Sequence, residues 1–462
     1  MPQEVSRALS VAAAMLAAAC AFGLWHAAAM IPLQVPLDPN EGWNAYHTLS
    51  AMQGGALYPG AHSGMVDNYP PLSFYIVGLV AKLAGDAIVA GRIVSLASLI
   101  FVAAAIAVAA RELSAAKPAA WFAALWFLAG LLVFTDYVAM DDPQLLGHAI
   151  DVAGLLLLLR GRMAAAAFAM AVALFVKHNL VALPLATLWW LALTERKAAW
   201  RFAVSGLAFC LLGVILFRAV YGAVLLGAIG SARSFSFALL THNVATWMVW
   251  AGPAMVAAVA LLLGTRADRN VVFCALYALV GVAVGTAFSG GAGVDLNVWF
   301  DAAIALSLTG ALALTRLSAR LPQTLVLSAY IVPLLSGLAL SYDESWREPG
   351  TWLRPGADAA QTARSDIDFL KAHRGPALCE MLSLCYWAGK PPAIDVFNLG
   401  QAFATGARSD QALIAQIAHG DFGVLQFDSL DEFALGPRVK AAVLARYRVD
   451  HQSDDGVFLV PR

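Results

Sequence analysis

The chain has 462 residues, of which 61% are hydrophobic and 13% charged, with a mean hydropathy of +0.72 and a net charge of -1. A soluble domain has about half its residues apolar and about a quarter charged, so this composition excludes an ordinary soluble protein. The balanced charge excludes the basic field that a nucleic-acid partner requires, and most of the apolar surface must face lipid or neighbouring helices.

In chain order, Arg7 precedes an apolar stretch over 8–31. That is longer than the about 7–15 residues of a secretory h-region, so it reads as an uncleaved first membrane helix. A loop follows with Leu37-Asp38-Pro39-Asn40-Glu41-Gly42-Trp43-Asn44-Ala45-Tyr46, and it runs on to Asn68-Tyr69-Pro70-Pro71-Leu72. Asp38 and Glu41 are three apart and share one face of a helical turn. The spacing fits a capping box with Asp38 as N-cap. It also fits a site that faces water, because a carboxylate at the centre of a spanning helix costs roughly 2.5–3.5 kcal/mol. Trp43, Tyr46 and Tyr69 fit either a sugar-stacking role or an interfacial aromatic belt.

Short cytoplasmic loops carry the excess of Lys and Arg. The basic gaps are Arg7, 111–117, Arg160 with Arg162, 196–201, Arg266 with Arg269, and Arg316 with Arg320, whereas 33–68, 136–142 and 288–297 are acidic or neutral. Placing the basic gaps inside predicts crossings at 8–31, 88–110, 118–137, 143–159, 163–177, 179–193, 199–219, 244–263, 270–289, 297–315 and 322–340, about eleven in all. The N-terminus is then cytoplasmic and the C-terminal part extracytoplasmic. Segment 70–87 opens on Pro70-Pro71 and carries Lys82 and Asp86. A crossing there would put the basic 111–117 gap outside, so it reads as an interfacial helix along the outer face.

The second acidic loop is Ala139-Met140-Asp141-Asp142-Pro143-Gln144. Asp142 fits as the cap of a helix that begins at Pro143. The pair also fits a site in which one carboxylate binds a cation, a metal or a polar substrate and the other orients it. Segments 163–177 and 179–193 are shorter than the ~20 residues of a full span, and their outer turn is Lys177-His178-Asn179. Short paired helices with polar turns border cavities. Lys177 reads as a phosphate contact or as a snorkelling side chain. His242 lies in the outer segment 221–243 with Arg218 and Arg233, where it meets an anionic head group or marks the interface.

Charges, Gly and Pro become frequent from about Asp343, which divides the chain into a membrane domain over 1–342, with its first outer loop over 32–87, and a soluble α/β domain over 343–462. Segments 376–380 and 422–427 read as short buried strands, 411–418 as a helix and 446–460 as a terminal hairpin. Glu380 ends a strand and takes no catalytic role in this reading. Cys20, Cys210 and Cys274 lie in apolar segments as small buried hydrophobes. Cys379 and Cys385 are able to pair in an oxidising compartment.

An acidic residue after the first helix, then Tyr69-Pro70-Pro71-Leu72, Gly91-Arg92, Asp141-Asp142-Pro143 and a Lys177-led turn resemble the GT-C superfamily of integral-membrane glycosyltransferases. The closest flavour is that of the protein mannosyltransferase, aminoarabinose transferase and RgtA/B/C/D-like families, over about residues 1 to 320. The resemblance implies a mainly α polytopic bundle and a general base at Asp38. It also implies an acid of the second outer loop at Asp141, with Asp142 beside it, a basic residue near a lipid phosphate at Lys177, and an Asn-aromatic motif at Asn297. Two departures stand out: Asn68 precedes Tyr-Pro-Pro-Leu where aminoarabinose transferases carry charged residues, and Ala139-Met140 precedes Asp141 where an Arg is usual. They leave donor type and metal dependence unassigned.

Glycosyl transfer needs a base and stabilisation of a departing phosphate. The expected catalytic residues are Asp38, Glu41, Asp141 and Asp142. The expected substrate contacts are Tyr69, Arg92, Lys177, His178, His242 and Asn297, and Asp38, Asp141 and Asp142 are the candidate ligands for a divalent metal. The expected activity is an inverting hexosyl or pentosyl transferase in a bacterial inner membrane. It would take sugar from a polyprenyl-phosphate donor and give it to a cell-envelope glycan, lipid or protein. A transporter or flippase of a lipid-linked or anionic substrate is the alternative, and it would be expected to show internal repeats and broken midplane helices.

Overall fold

The computed structural model describes residues 3–60, 63–229, 233–317, 320–340 and 354–462, so the expected domain boundary at 343 lies outside the described residues. The first part is a helix bundle. Its elements are α1 (Gln3–Met30), α2 (Pro39–Gln53), α3 (Leu72–Ala84), α4 (Ala87–Glu112), α5 (Lys117–Phe134), α6 (Gln144–Leu159), α7 (Met163–Val176), α8 (Ala182–Thr194), α9 (Arg196–Tyr221), α10 (Val224–Ile229), α11 (Phe237–Trp250), α12 (Met255–Gly264), α13 (Arg269–Phe288), α14 (Phe300–Arg316) and α15 (Arg320–Leu340).

Helices satisfy their own backbone groups, which a bilayer core demands. Acidic side chains close several of the ends. Asp86 caps α4 by accepting from the Val89 N–H at 3.0 Å, and Asp268 caps α13 by accepting from Asn270 and Val271. The innermost helix is α14, buried from Phe300 to Leu314. Small residues let neighbours approach it: a Cβ on Gly281 would stand 2.9 Å from the Ala302 backbone. Aromatic rings fill the remaining space, with Trp247 stacked on Trp299 at 4.5 Å. By contrast α9 buries none of its most apolar stretch, as a lipid-facing helix would.

The mainly α bundle with a small C-terminal α/β unit is the architecture expected. Among the described residues six helices are long and apolar enough to cross a bilayer, or seven if the bent pair α11 and α12 is one span. The reading of about eleven crossings also counted α6, α7 and α8, which are 16, 14 and 13 residues long and fall below the ~20 of a full span, and α15, whose apolar part among the described residues is the shorter stretch Gln323–Gly337. The continuous crossing expected over 244–263 is broken: the chain bends by 63° between α11 and α12, at a short 3₁₀ turn over Gly252–Ala254. Pro253 removes a backbone donor there. Segment 70–87 does hold one apolar helix, α3, which spans 13 residues and ends at Gly85 in a left-handed cap.

The C-terminal part carries a four-stranded sheet of order β1-β2-β4-β3, made of β1 (Ala377–Cys379), β2 (Val424–Phe427), β3 (Tyr447–Ser453) and β4 (Gly456–Pro461). β1 and β2 are parallel, whereas β4 pairs antiparallel with both β2 and β3. Helices Ala357–Ala372, Gln411–His419 and Pro437–Arg446 bury apolar faces around it. Cys379 and Cys385 form a disulfide.

This unit is clamped onto α2. A Cβ on Gly42 would fall 2.0 Å from the Ser383 nitrogen, so only glycine admits the contact. Trp43 Nε1 donates to Asp395 Oδ2 at 2.9 Å, Tyr46 donates to the Lys390 carbonyl at 2.8 Å, and Arg408 donates to the Ser63 carbonyl at 2.8 Å.

Candidate active site

The two acidic loops meet. Asp38 is the N-cap of α2: its Oδ1 accepts from the Asn40 N–H at 2.7 Å, and Pro39 opens the helix. The capping side chain is also half-buried at the edge of a cavity. Burial, with the Asp142 and Glu41 charges adding to it, pushes the carboxyl up to about 6 against the opposing Asn40 hydrogen bonds. A carboxylate that titrates near neutrality suits a general base.

Glu41 turns the other way. Its two oxygens take Arg92 Nε at 2.7 Å and Nη2 at 2.5 Å, and both side chains are fully buried. The remaining Arg92 donors close on the carbonyls of Met30, Leu33 and Val35. Glu41 also accepts from the Leu37 N–H and from the Asp141 N–H, both at 3.1 Å. The pair thus ties the end of α1, the first loop and the second loop into one unit. Neither side chain lines a cavity described below, so the geometry gives Glu41 and Arg92 a framework position where the sequence expected catalysis and phosphate contact.

The second loop is strained: Ala139 takes φ +57, a conformation L residues rarely adopt. The turn drives Asp141 against α4 at Gly91, where a Cβ would stand 1.8 Å from Asp141 Oδ1. Asn44 Nδ2 donates to the Asp141 carbonyl at 2.7 Å, and Asp141 Oδ2 is buried without a partner. Burial, with Glu41 and Asp142 nearby, pushes this carboxyl well above the usual carboxylate range. Asp142 accepts from Lys177 Nζ with both oxygens, at 2.8 and 3.0 Å, and its Oδ1 also accepts from the Gln144 N–H at 2.7 Å, where α6 begins. Lys177 also lies over the Tyr69 ring at 4.9 Å. The sequence allowed Asp142 as the cap of a helix beginning at Pro143; the helix begins at Gln144 with Pro143 as its N-cap, and Asp142 combines the Gln144 N–H with its ion pair to Lys177.

Two adjoining cavities share Asn68, Tyr69, Arg233, Gly293 and Val294. The inner one, about 280 Å³, is lined by Lys177, His178, Arg233 and Asn297. Asn297 is buried there with Oδ1 unpartnered, while its Nδ2 reaches Gln144 at 3.4 Å. Burial beside Lys177 and Arg233 pushes His178 down to about 4, so it offers a neutral ring rather than a charge. The outer cavity, about 440 Å³, is lined by Asp38, Tyr69, His242 and Asp295, and from the C-terminal unit by Glu380, Asp395, Phe397 and Asp428.

The structure therefore gathers Asp38, Tyr69, Lys177, His178, His242 and Asn297 around one space. Asp142 stands behind Lys177, and Glu41, Arg92 and Asp141 form the frame. Two groups were missed. Arg233 faces both cavities, and the signal for it was an arginine in a segment read as outer, against the positive-inside trend. The C-terminal residues carried no signal, because only the fold brings them to Asp38. For a metal, no group of three or more His, Cys, Asp or Glu side chains stands together among the described residues. Asp142 is already occupied by Lys177, so Asp38, Asp141 and Asp142 do not fit a shared ion.

No protein-family model matches the chain, nor does any curated protein. Solved structures that share its fold include two of one protein. ArnT from Cupriavidus metallidurans bound to undecaprenyl phosphate superposes with a TM-score of 0.64 at 13% identity, over 96% of this chain and 97% of that one. The same protein in its apo state gives 0.60 at 15% identity, over 91% and 92%. At this identity the likeness shows the fold: the chain has the architecture of ArnT, as the sequence resemblance to the GT-C superfamily led one to expect.

Proposed function

We propose that this chain is a membrane glycosyltransferase that takes a sugar from a polyprenyl-phosphate donor and passes it to an acceptor hydroxyl on the extracytoplasmic face. The observation that carries the reading is the pairing of a cationic inner cavity with an adjoining outer cavity edged by Asp38. The fold shared with a protein bound to undecaprenyl phosphate supports it. The Cys379–Cys385 disulfide supports an oxidising, extracytoplasmic setting for the C-terminal unit.

In this mechanism Asp38 takes the proton of the acceptor hydroxyl. The oxygen attacks the anomeric carbon as the bond from that carbon to the phosphate oxygen breaks, and the electron pair leaves with the lipid phosphate. A single in-line displacement inverts the anomeric centre. Arg233 and Lys177 face the developing phosphate charge, and the His178 ring and Asn297 amide supply hydrogen bonds. Asp142 fixes Lys177, while Glu41, Arg92 and Asp141 hold the two loops in register. Tyr69 and His242 edge the path between donor and acceptor.

The test uses full-length protein in nanodiscs. Undecaprenyl phosphate is titrated by tryptophan fluorescence, and lipid-linked sugars from an envelope extract are supplied as donors. Saturable binding and a glycosylated product seen by mass spectrometry are expected. Transport of the lipid-linked sugar without covalent transfer would overturn the reading.

A further inference from the structure

Parallel strands β1 and β2 end side by side, and each is followed at once by a carboxylate: Glu380 after β1 and Asp428 after β2. The crevice beyond the carboxyl ends of parallel strands is where such sheets bind ligands. Here it opens into the outer cavity that also holds Asp38.

Glu380 Oε2 accepts from the Asp428 N–H at 3.0 Å, and Asp428 Oδ1 accepts from Gln426 at 3.2 Å. The other oxygen of each carboxyl has no protein hydrogen-bond partner among the described residues. Asp395, on the same wall, differs because Trp43 and Asn398 occupy it. Phe397 lines the same cavity with 39% of its surface exposed, which gives an apolar platform among the polar groups. The cavity continues into the inner one, which the buried Asn297 lines with its Oδ1 unpartnered.

An ionised carboxylate is an acceptor only: it takes hydrogen bonds from sugar hydroxyls and repels phosphates. Asp38, Asp295, Glu380 and Asp428 all face this cavity, against one cation, Arg233, which stands at the seam over the Phe397 ring at 5.8 Å, whereas Lys177 lines the inner cavity. We propose that Glu380 and Asp428 form the acceptor subsite, and that they select a neutral, hydroxyl-bearing sugar over a phosphate-bearing acceptor. Phe397 packs against the C–H face of that sugar and Asp38 takes the proton of its reacting hydroxyl. The new bond is a glycoside between two sugars, not a glycosyl phosphate. This inference rests on the glycosyltransferase reading above and names its acceptor class.

The test is deletion of the gene in the native host, with mass spectrometry of envelope glycolipids and glycans. A missing sugar whose linkage to a neighbouring sugar survives mild acid is the expected result. A missing sugar that mild acid releases from a phosphate overturns the proposal, and no missing sugar at all overturns the glycosyltransferase reading instead.

Complementation with the E380Q/D428N double variant should lower transfer by about tenfold or more, as loss of charged hydrogen bonds predicts, while undecaprenyl phosphate affinity stays within about twofold because no contact to the inner cavity is lost. Wild-type transfer by the double variant overturns the subsite. If the double variant does not accumulate, Phe397→Ala removes an exposed side chain of the same wall. Its expected result is reduced transfer with donor affinity kept, and wild-type transfer counts against the subsite.

Discussion

Lys177 and Asp142 are held in a two-armed ion pair, Nζ to the two carboxyl oxygens at 2.8 and 3.0 Å, with both side chains withdrawn from solvent. The pairing decides how charge is distributed in the inner cavity. The positive charge of Lys177 is compensated where it stands. Arg233 has no carboxylate within ion-pair distance among the described residues, and its one hydrogen bond goes to the Ala292 carbonyl at 3.1 Å.

Removing Lys177 should therefore be costly to the fold. Lys177→Met leaves Asp142 buried and unpaired, a defect of about 3–5 kcal/mol in comparable cases. Thermal unfolding in detergent should fall sharply for Lys177→Met and recover in Lys177→Met/Asp142→Asn. A single variant as stable as the wild type would mean the pair is solvated.

Arg233 should carry more of the anion affinity. Arg233→Ala is expected to weaken undecaprenyl phosphate binding by about 10- to 150-fold, the range for a hydrogen bond to a charged group, with little change in unfolding temperature. Binding to the wild type should also weaken with added salt more steeply than binding to the variant. Unchanged affinity would remove Arg233 from the donor site.

The Glu41–Arg92 pair predicts the reverse pattern. Glu41→Gln breaks a fully buried pair that joins three segments, so a loss of about 3–5 kcal/mol in stability is expected, and Arg92→Lys should not rescue the fork geometry. A Glu41→Gln protein of full stability that has lost transfer would place Glu41 in the chemistry after all.

The parts of this site that could be read from the sequence were those written as local contrast. Asp38, Asp141, Asp142 and Lys177 stand as isolated charges at the ends of apolar runs, and hydropathy alone exposes such residues. What each one faces is a tertiary matter. Glu41 and Asp38 are three residues apart, yet one binds Arg92 across 51 positions and the other opens on a cavity. Glu380 looked like an ordinary strand end because nothing in residues 376–380 records that α2 will dock there. The same limit applies to the expected crossing over 244–263, where composition is apolar throughout and the break comes from Pro253.

The acid limb of the pH profile tests Asp38 most directly. Its carboxyl is raised from 3.8 to about 6, with burial as the largest cause. A raised carboxyl holds its proton to higher pH, so the base form is lost as pH falls through about 6. Below that point kcat/KM should drop about tenfold per pH unit, and it should level off above it. Asp38→Asn should lower transfer by about 10²- to 10⁴-fold and abolish the limb, with undecaprenyl phosphate affinity kept within about threefold because the inner cavity is intact. The cap contributes separately: Asn at an N-cap holds the helix about as well as Asp does, so α2 and the C-terminal unit docked on it should stay in place. A limb near pH 4 would show that Asp38 is solvated and ordinary. A limb near 6 that survives in Asp38→Asn would move the base to another carboxyl, and Glu380, raised by burial to about 7 on the same cavity, would be the residue to replace next.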